Sequence, residues 1–246
     1  NTGGSTVSVE VSYRDRYGTA ISSATQTFDI VAYSNKILYQ NENANLPDQY
    51  MGSAYIRNVS SAPANTINLA VVANIYNKGT DNTNAQFRSY NAFPSGGSTL
   101  FFPRFIRRYY GFNSGMSIQN TADNSVYVKI EFYFAGNTYI YQSGEIAPKA
   151  ALALYSPNIS AINAVDTLPM AKRSGSCKII TTDAAGNPVS GEIVAIANED
   201  NLGSSSDNNG SPVPAEQVGQ GISYNGFQLG TETNKVFIPQ FVRFTS

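Results

Sequence analysis

The chain is expected to be all-β, built as two tandem Ig-like β-sandwich domains related by an internal repeat, and three observations point there. Val7, Val9, Val11 and Tyr13 alternate with Ser8, Glu10 and Ser12, and Val126, Val128, Ile130 and Phe132 alternate with Tyr127, Lys129 and Glu131. A period of two puts one face of a strand in a core. Short apolar runs recur between clusters of Gly, Pro, Asn and Ser, residues that supply turns. The third observation is duplication: Ser89-Tyr90-Asn91-Ala92-Phe93 returns as Ser223-Tyr224-Asn225-Gly226-Phe227, and Leu100-Phe101-Phe102-Pro103-Arg104-Phe105-Ile106-Arg107 returns as Val236-Phe237-Ile238-Pro239-Gln240-Phe241-Val242-Arg243.

Earlier markers repeat in the same order. Asn1-Thr2 matches Asn120-Thr121, Leu46-Pro47 matches Leu168-Pro169, Gly52-Ser53-Ala54 matches Gly175-Ser176-Cys177, and Ala73-Asn74 matches Ala197-Asn198. The offset widens along the chain but the order never changes, as expected of one unit written twice with insertions. Besides the two opening strands, the first unit is expected to hold strands near 25–31, 36–39, 53–58, 66–76, 86–91 and 99–106. The second is expected to hold strands near 115–119, 138–142, 151–155, 176–181, 192–198, 222–225 and 234–242. Arg16-Tyr17-Gly18 and Ala135-Gly136-Asn137 read as turns. No window carries an apolar stripe at helical spacing, and Pro148 argues for a strand rather than a helical turn over 147–154. The polar stretches 76–84 and 201–214 read as loops at the ends of the sandwiches.

The units are expected to span 1–109 and 110–246, joined almost without a linker, since Arg104 to Tyr110 runs directly into Gly111-Phe112-Asn113. A joint that short favours a semi-rigid rod. The second unit opens with a strand over 111–120, whereas the first begins at the residue equivalent to Asn120. The first unit is therefore expected to lack its opening strand and to expose a sheet edge. Three explanations stand: a longer array, a strand supplied by a neighbouring subunit, or a unit that does without it.

Composition narrows function. Net charge is −1 and charged residues make up 13%, so no broad electrostatic footprint exists for nucleic acid or an anionic membrane. No apolar run is long enough for a membrane helix, and no membrane insertion is expected. With no histidine and one cysteine, Ser-His-Asp and Cys-His catalysis and zinc or copper sites have no side chains to work with. Cys177 reads as a small buried strand residue. Glu131, Glu145 and the Glu199-Asp200 pair are the carboxylates available for glycoside chemistry, but read better as solvated positions. No catalytic residue, cofactor or metal is expected; Asp81-Asn82-Thr83-Asn84 and Asp200, Asp207, Asn208 and Asn209 offer oxygen ligands without the spacing of a calcium loop. Asn58, Asn158 and Asn209 sit in Asn-Xaa-Ser acceptor patterns for glycans.

Tyr-Asn-Gly-Phe at 224–227, Phe-Ile-Pro-Gln-Phe-Val at 237–242 and Tyr-Gly-Phe-Asn-Ser-Gly-Met-Ser-Ile-Gln-Asn at 110–120 resemble the tandem β-sandwich repeats of secreted cell-surface proteins of filamentous Chloroflexota-type bacteria. The resemblance covers nearly all of the second unit and most of the first. It implies export, surface display and stacking, and no catalytic residue. The first unit departs in carrying Ala92 for the turn glycine.

The expectation for function is thus a non-enzymatic extracellular structural subunit of a cell-surface filament, sheath or stalk. It would form a homopolymer, assembling head-to-tail by strand addition (donor-strand complementation). Residues 237–244 and 6–13 are the candidate donors, the former favoured. The expected subunit or domain contacts are Phe105, Ile106, Arg107, Arg108, Tyr109 and Tyr110, with Phe237, Ile238, Phe241 and Val242. The alternative is an adhesive or carbohydrate-binding module of a longer surface protein, contacting surface glycans through Tyr127, Tyr133 and Tyr139.

Overall fold

The computed structural model describes residues 1–48, 50–60, 69–77, 86–201, 203, 212, 218–219 and 221–231. Among these residues the chain is nearly all-β, with 49% strand and 10% helix, and the strands form four antiparallel sheets. The first half gives β1 (Val7–Asp15), β2 (Gln26–Ile30) and β3 (Gly52–Asn58) in the order β2-β1-β3, and a separate hairpin of β4 (Val72–Asn77) and β5 (Gln86–Asn91). The second gives β6 (Thr99–Ile106), β7 (Asn113–Asn120), β8 (Tyr127–Phe134), β9 (Asn137–Gln142), β10 (Ala151–Tyr155), β11 (Ser174–Thr182), β12 (Ile193–Asp200), β13 (Gly221–Asn225) and β14 (Phe227–Gln228). These make a four-stranded sheet β10-β7-β12-β13 and a five-stranded sheet β14-β6-β11-β8-β9.

The alternation read from the sequence is what these strands bury. Val7, Val9, Val11 and Tyr13 turn inward from β1, and Val128, Ile130, Phe132 and Phe134 turn inward from β8. In the second half both sheets feed one core: Leu100, Phe102, Phe105, Phe132 and Ile179 from one, Met116, Ile118, Ile193 and Ala195 from the other. Each fully buried side chain of this kind contributes roughly 1.5–3 kcal/mol. The first-half core is far smaller among the described residues, resting on Val7, Val9, Val11, Tyr13 and Ala24.

The turns follow local chemistry. Ala135 (φ 50°) and Gly136 (φ 82°) make a two-residue hairpin loop between β8 and β9, a geometry that needs two positive φ angles. Before Gly18, the Asp15 carboxylate accepts from the backbone N–H groups of Tyr17 and Thr19, both at 2.9 Å.

Two expectations are corrected. Residues 36–39 form no strand; Ile37 and Tyr39 are exposed, while Leu38 packs against the first-half core. The segment between β10 and β11 is a chain of 3₁₀ turns at Ser156–Asn158, Ser160–Thr167 and Met170–Lys172. It seals the core with Ile159, Ile162 and Val165. That spacing of three matches the three residues per turn of a 3₁₀ helix rather than the 3.6 of an α-helix. β6, which a boundary at 109/110 assigns to the first unit, is hydrogen bonded between β14 and β11 inside the second half. Leu100, Phe102, Phe105 and Ile106 are all buried there, and that apolar face is what holds the strand. The expected strand near 234–242 lies outside the described residues.

Candidate functional site

The pairs β1–β3 and β8–β11 are built alike. Tyr13 lies opposite Ala54 and Val11 opposite Ile56; Phe132 lies opposite Cys177 and Ile130 opposite Ile179. These are the residues that the sequence markers align. The glycines agree as well: a Cβ on Gly52 would lie 2.0 Å from the Arg14 carbonyl oxygen, and one on Gly175 would lie 2.1 Å from the Tyr133 carbonyl oxygen. Only glycine permits that approach. The hairpins match too, with Ala73 opposite Tyr90 and Asn74 opposite Ser89, against Ala197 opposite Tyr224 and Asn198 opposite Ser223.

Asn1 and Asn120 make the same bonds. Asn120 donates from Nδ2 to the carbonyls of Asn124, Ile146 and Ala147 and accepts on Oδ1 from the Ala122 N–H. Asn1 donates from Nδ2 to the carbonyls of Ser5, Ile30 and Val31 and accepts on Oδ1 from the Gly3 N–H.

The halves part company at the far side of these strands. β11 is flanked by β8 and β6, with a bulge between Gly175 and Cys177, and β12 is flanked by β13 and β7. Among the described residues, β3 pairs only with β1 and β4 only with β5. Exposure follows: Cys177 and Ile179 are fully buried, whereas Ala54 is exposed and Ile56 half-buried. Tyr55 on β3 is 61% exposed, and Val72, Ile75, Tyr76 and Phe87 on the hairpin are exposed as well. An unpaired strand edge beside exposed apolar side chains is a template for another strand.

Of the expected contact residues, Phe105 and Ile106 are sealed in the second-half core. Arg107 is 2% exposed and holds the 3₁₀ turns in place. Its guanidinium donates to both Asp166 carboxylate oxygens at 2.8 and 2.7 Å, to Asn163 Oδ1 at 2.9 Å, to the Ile159 carbonyl at 3.1 Å and to the Ser156 carbonyl. Arg108 reaches the same carboxylate at 2.5 Å, and Arg173 donates to the Asp166 and Leu168 carbonyls. Burial alone lifts the Asp166 carboxyl, but the Arg107 hydrogen bonds and the charges of Arg107, Arg108 and Arg173 outweigh it and hold it below the usual carboxylate range. Tyr109 and Tyr110 stack edge to face at 4.9 Å in the tight β6–β7 connection, with Tyr110 exposed. Phe237, Ile238, Phe241 and Val242 lie outside the described residues.

The carboxylates named for acid/base work are otherwise engaged. Glu199 is buried and chelates Arg104 Nε at 2.9 and 2.8 Å while accepting from the Tyr224 hydroxyl at 3.0 Å. Asp200 pairs with Arg88 at 2.9 Å. Glu131 lies on the outer face, bonded to the Tyr133 hydroxyl at 2.6 Å and to Lys129 at 3.1 Å, and Glu145 is exposed. Burial pushes the Cys177 thiol well above its ordinary range. Tyr127 and Tyr133 point outward from β8, but Tyr139 packs into the core against Phe134, so the three share no face. Of the glycan acceptor positions, Asn158 is exposed. The Asn58 side chain accepts from the Ser60 backbone N–H at 2.9 Å and from its hydroxyl. Asn209 lies outside the described residues, as do Asp81, Asn82, Thr83, Asn84, Asp207 and Asn208. Among the described residues no helix is long and apolar enough to cross a membrane.

No family model and no curated protein matches the chain. The solved structure "Crystal Structure of Thermotoga maritima 1070" is similar at 16% identity and a TM-score of 0.36, over 54% of this chain and 95% of that one. A likeness that slight bears on neither the architecture nor the role of this chain.

Proposed function

We propose that the chain is a structural subunit of an extracellular filament, sheath or stalk, made of two tandem Ig-like β-sandwich units that join head-to-tail by strand addition. The observation that carries this reading is the route of β6. A strand that the repeat assigns to the end of the first unit crosses into the sheet of the second and completes it. The matching edge of the first unit, on β3, has no such strand among the described residues. If separate copies obey the same rule, the second unit of one completes the first unit of another. A rule of that kind does not close on itself and yields an open fibre. Main-chain hydrogen bonds supply the affinity, and alternating apolar side chains supply the register. The resemblance to secreted surface repeats and the near-neutral, Asn- and Ser-rich composition support an extracellular setting.

The test is electron microscopy and light scattering of the purified chain over a range of concentrations, with surface labelling of intact source cells. Unbranched fibres whose length grows with concentration are expected. A chain that stays monomeric at every concentration removes the assembly reading.

A further inference from the structure

We propose that the first unit is locked to the second as one rigid body by contacts at three separated places on the sheet β10-β7-β12-β13, and that the loop 15–19 is the pin of this lock. It is a conformational device that fixes the angle between the units, whether or not the chain assembles.

The pin is shaped by first-unit residues. Besides the Asp15 carboxylate, which accepts from Tyr17 and Thr19, the Gly18 N–H donates to the Asp15 carbonyl at 3.1 Å and Arg14 Nη1 donates to the Gly18 carbonyl at 2.8 Å. The Arg16 carbonyl is left to accept from the Ala151 N–H at 3.0 Å. Ala151 opens β10, the edge strand of its sheet among the described residues. Asn120 holds the socket from the other side. Its Nδ2 donates to the Ile146 and Ala147 carbonyls, and its backbone N–H donates to the Ala150 carbonyl at 2.9 Å. Gly18 lets the loop sit this close: it has φ 89°, and a Cβ there would run into the Pro148 carbonyl oxygen and lie 2.9 Å from the Ala150 nitrogen.

The opposite edge carries the second contact. Asn225 Nδ2 donates to the Asn91 carbonyl at 2.7 Å, and Arg88 pairs with Asp200 at 2.9 Å. Asp200 lies opposite Gly221, and Ile196 lies opposite Asn225. β5 therefore runs alongside β13 in the same direction, with Arg88 at one end and Asn91 at the other. The Arg88 and Asp200 side chains are only 13% and 12% exposed, so parting the units would break a largely desolvated ion pair. The third contact is the β5–β6 connection, where Gly97 exchanges both backbone hydrogen bonds with Ile193, at 3.0 and 2.9 Å.

The placement of the three decides the mechanics. A body held at one point turns about it, and a body held at two turns about the line between them. A third point off that line stops both motions. Ala151 and Ile193 lie at one end of the sheet, opposite Gln119 and Asn120, whereas the β5 contact runs down β13 towards Asp200. Strands about 4.8 Å apart put the two edges of a four-stranded sheet roughly 14 Å from each other. The connection alone would be a hinge, and the pin and the hairpin remove it.

Full-length chains carrying Thr27→Cys in the first unit and Ala164→Cys in the second are spin labelled at these exposed positions, and the separation is measured by pulsed electron–electron double resonance. Cys177 is buried and takes no label. One narrow distance distribution is expected; a broad or many-peaked one overturns the lock. Gly18→Ala is expected to at least double the width and to speed hydrogen exchange of the Ala151 amide about tenfold, while the Ile130 and Ile179 amides keep their protection. Gly136→Ala is the control for a positive φ, since Gly136 has φ 82° and nothing lies within 4 Å of the added Cβ. It is expected to change neither readout. If Gly18→Ala leaves both readouts unchanged, or Gly136→Ala alters them equally, the loop is not the pin. Gly18→Asn, a residue that tolerates positive φ, carries the same test if Gly18→Ala does not fold. Arg88→Ala with Asn225→Ala loosens the opposite edge instead. There the width is expected to grow with the Ala151 amide still protected, and an unchanged width removes the hairpin from the lock.

Discussion

β3 and β11 carry the same glycine, meet their inner neighbour in the same register, and differ in what lies beyond them. β11 is covered by β6, and its Cys177 and Ile179 are fully buried; among the described residues β3 ends its sheet, and Ala54 and Tyr55 are exposed. The lesson is that near-identical local pairing coexists with very different burial, because a strand's interior is made by its second neighbour as much as by its first. Phe102, Phe105 and Ile179 belong to one continuous core, whereas the fully buried first-half core among the described residues is Val7, Val9, Val11, Tyr13 and Ala24.

The comparison breaks most readily at β6. Phe102→Ala removes a ring shared by β6, β11 and Tyr224, and is expected to destabilise the second half by roughly 3–5 kcal/mol in urea unfolding. If the loss is below about 1 kcal/mol, β6 is not what closes that core.

Asp166→Asn comes next, at roughly 2–3 kcal/mol, because it leaves the buried Arg107 without its carboxylate. The same group sets a pH dependence. The Asp166 carboxyl is held below its ordinary value, so the folded state binds its proton less readily than the unfolded chain. Its contribution is full above about pH 4 and fades as pH falls through the lowered folded value. Thermal unfolding measured from pH 6 downward should show this loss in the native chain and a flatter profile in Asp166→Asn.

The matched isoleucines give the finest comparison. Ile179→Ala is expected to cost about 2–4 kcal/mol. Ile56→Ala, at the half-buried counterpart, is expected to cost under about 1 kcal/mol in the monomeric chain. In assembled material the Ile56→Ala loss should grow towards that of Ile179→Ala, read as a drop in fibre melting temperature. Equal losses in monomer and fibre would mean that nothing covers β3 on assembly.

Much of this was legible in the residues. Alternation at Val7–Val9–Val11 and Val128–Ile130–Phe132 located β1 and β8, and Ala135-Gly136 located a hairpin whose loop needs two positive φ angles. The duplicated markers proved to be residues that occupy matching places: the two glycines beside a carbonyl, and the two asparagines that each tie three backbone carbonyls together. What escaped was non-local. Arg107 reads in the sequence as part of a basic and aromatic contact run, and nothing nearby in sequence announces Asp166 or Asn163 as its partners. The 3₁₀ segment left a trace in Ile159, Ile162 and Val165, but a period of three is easily missed when the templates are 2.0 and 3.6. Residues 36–39 have the composition of a strand but pair with no strand among the described residues.

The sequence by itself determined where strands begin, which of their faces are apolar, and that the pattern is written twice, because backbone sterics and side-chain alternation act within a few residues. Only the tertiary structure decided which sheet receives β6 and which first-half edge has no partner among the described residues. A strand with an apolar face satisfies any sheet of complementary shape, and the choice among sheets is made by partners far away in the chain, here β11, β14 and the Glu199 carboxylate waiting for Arg104.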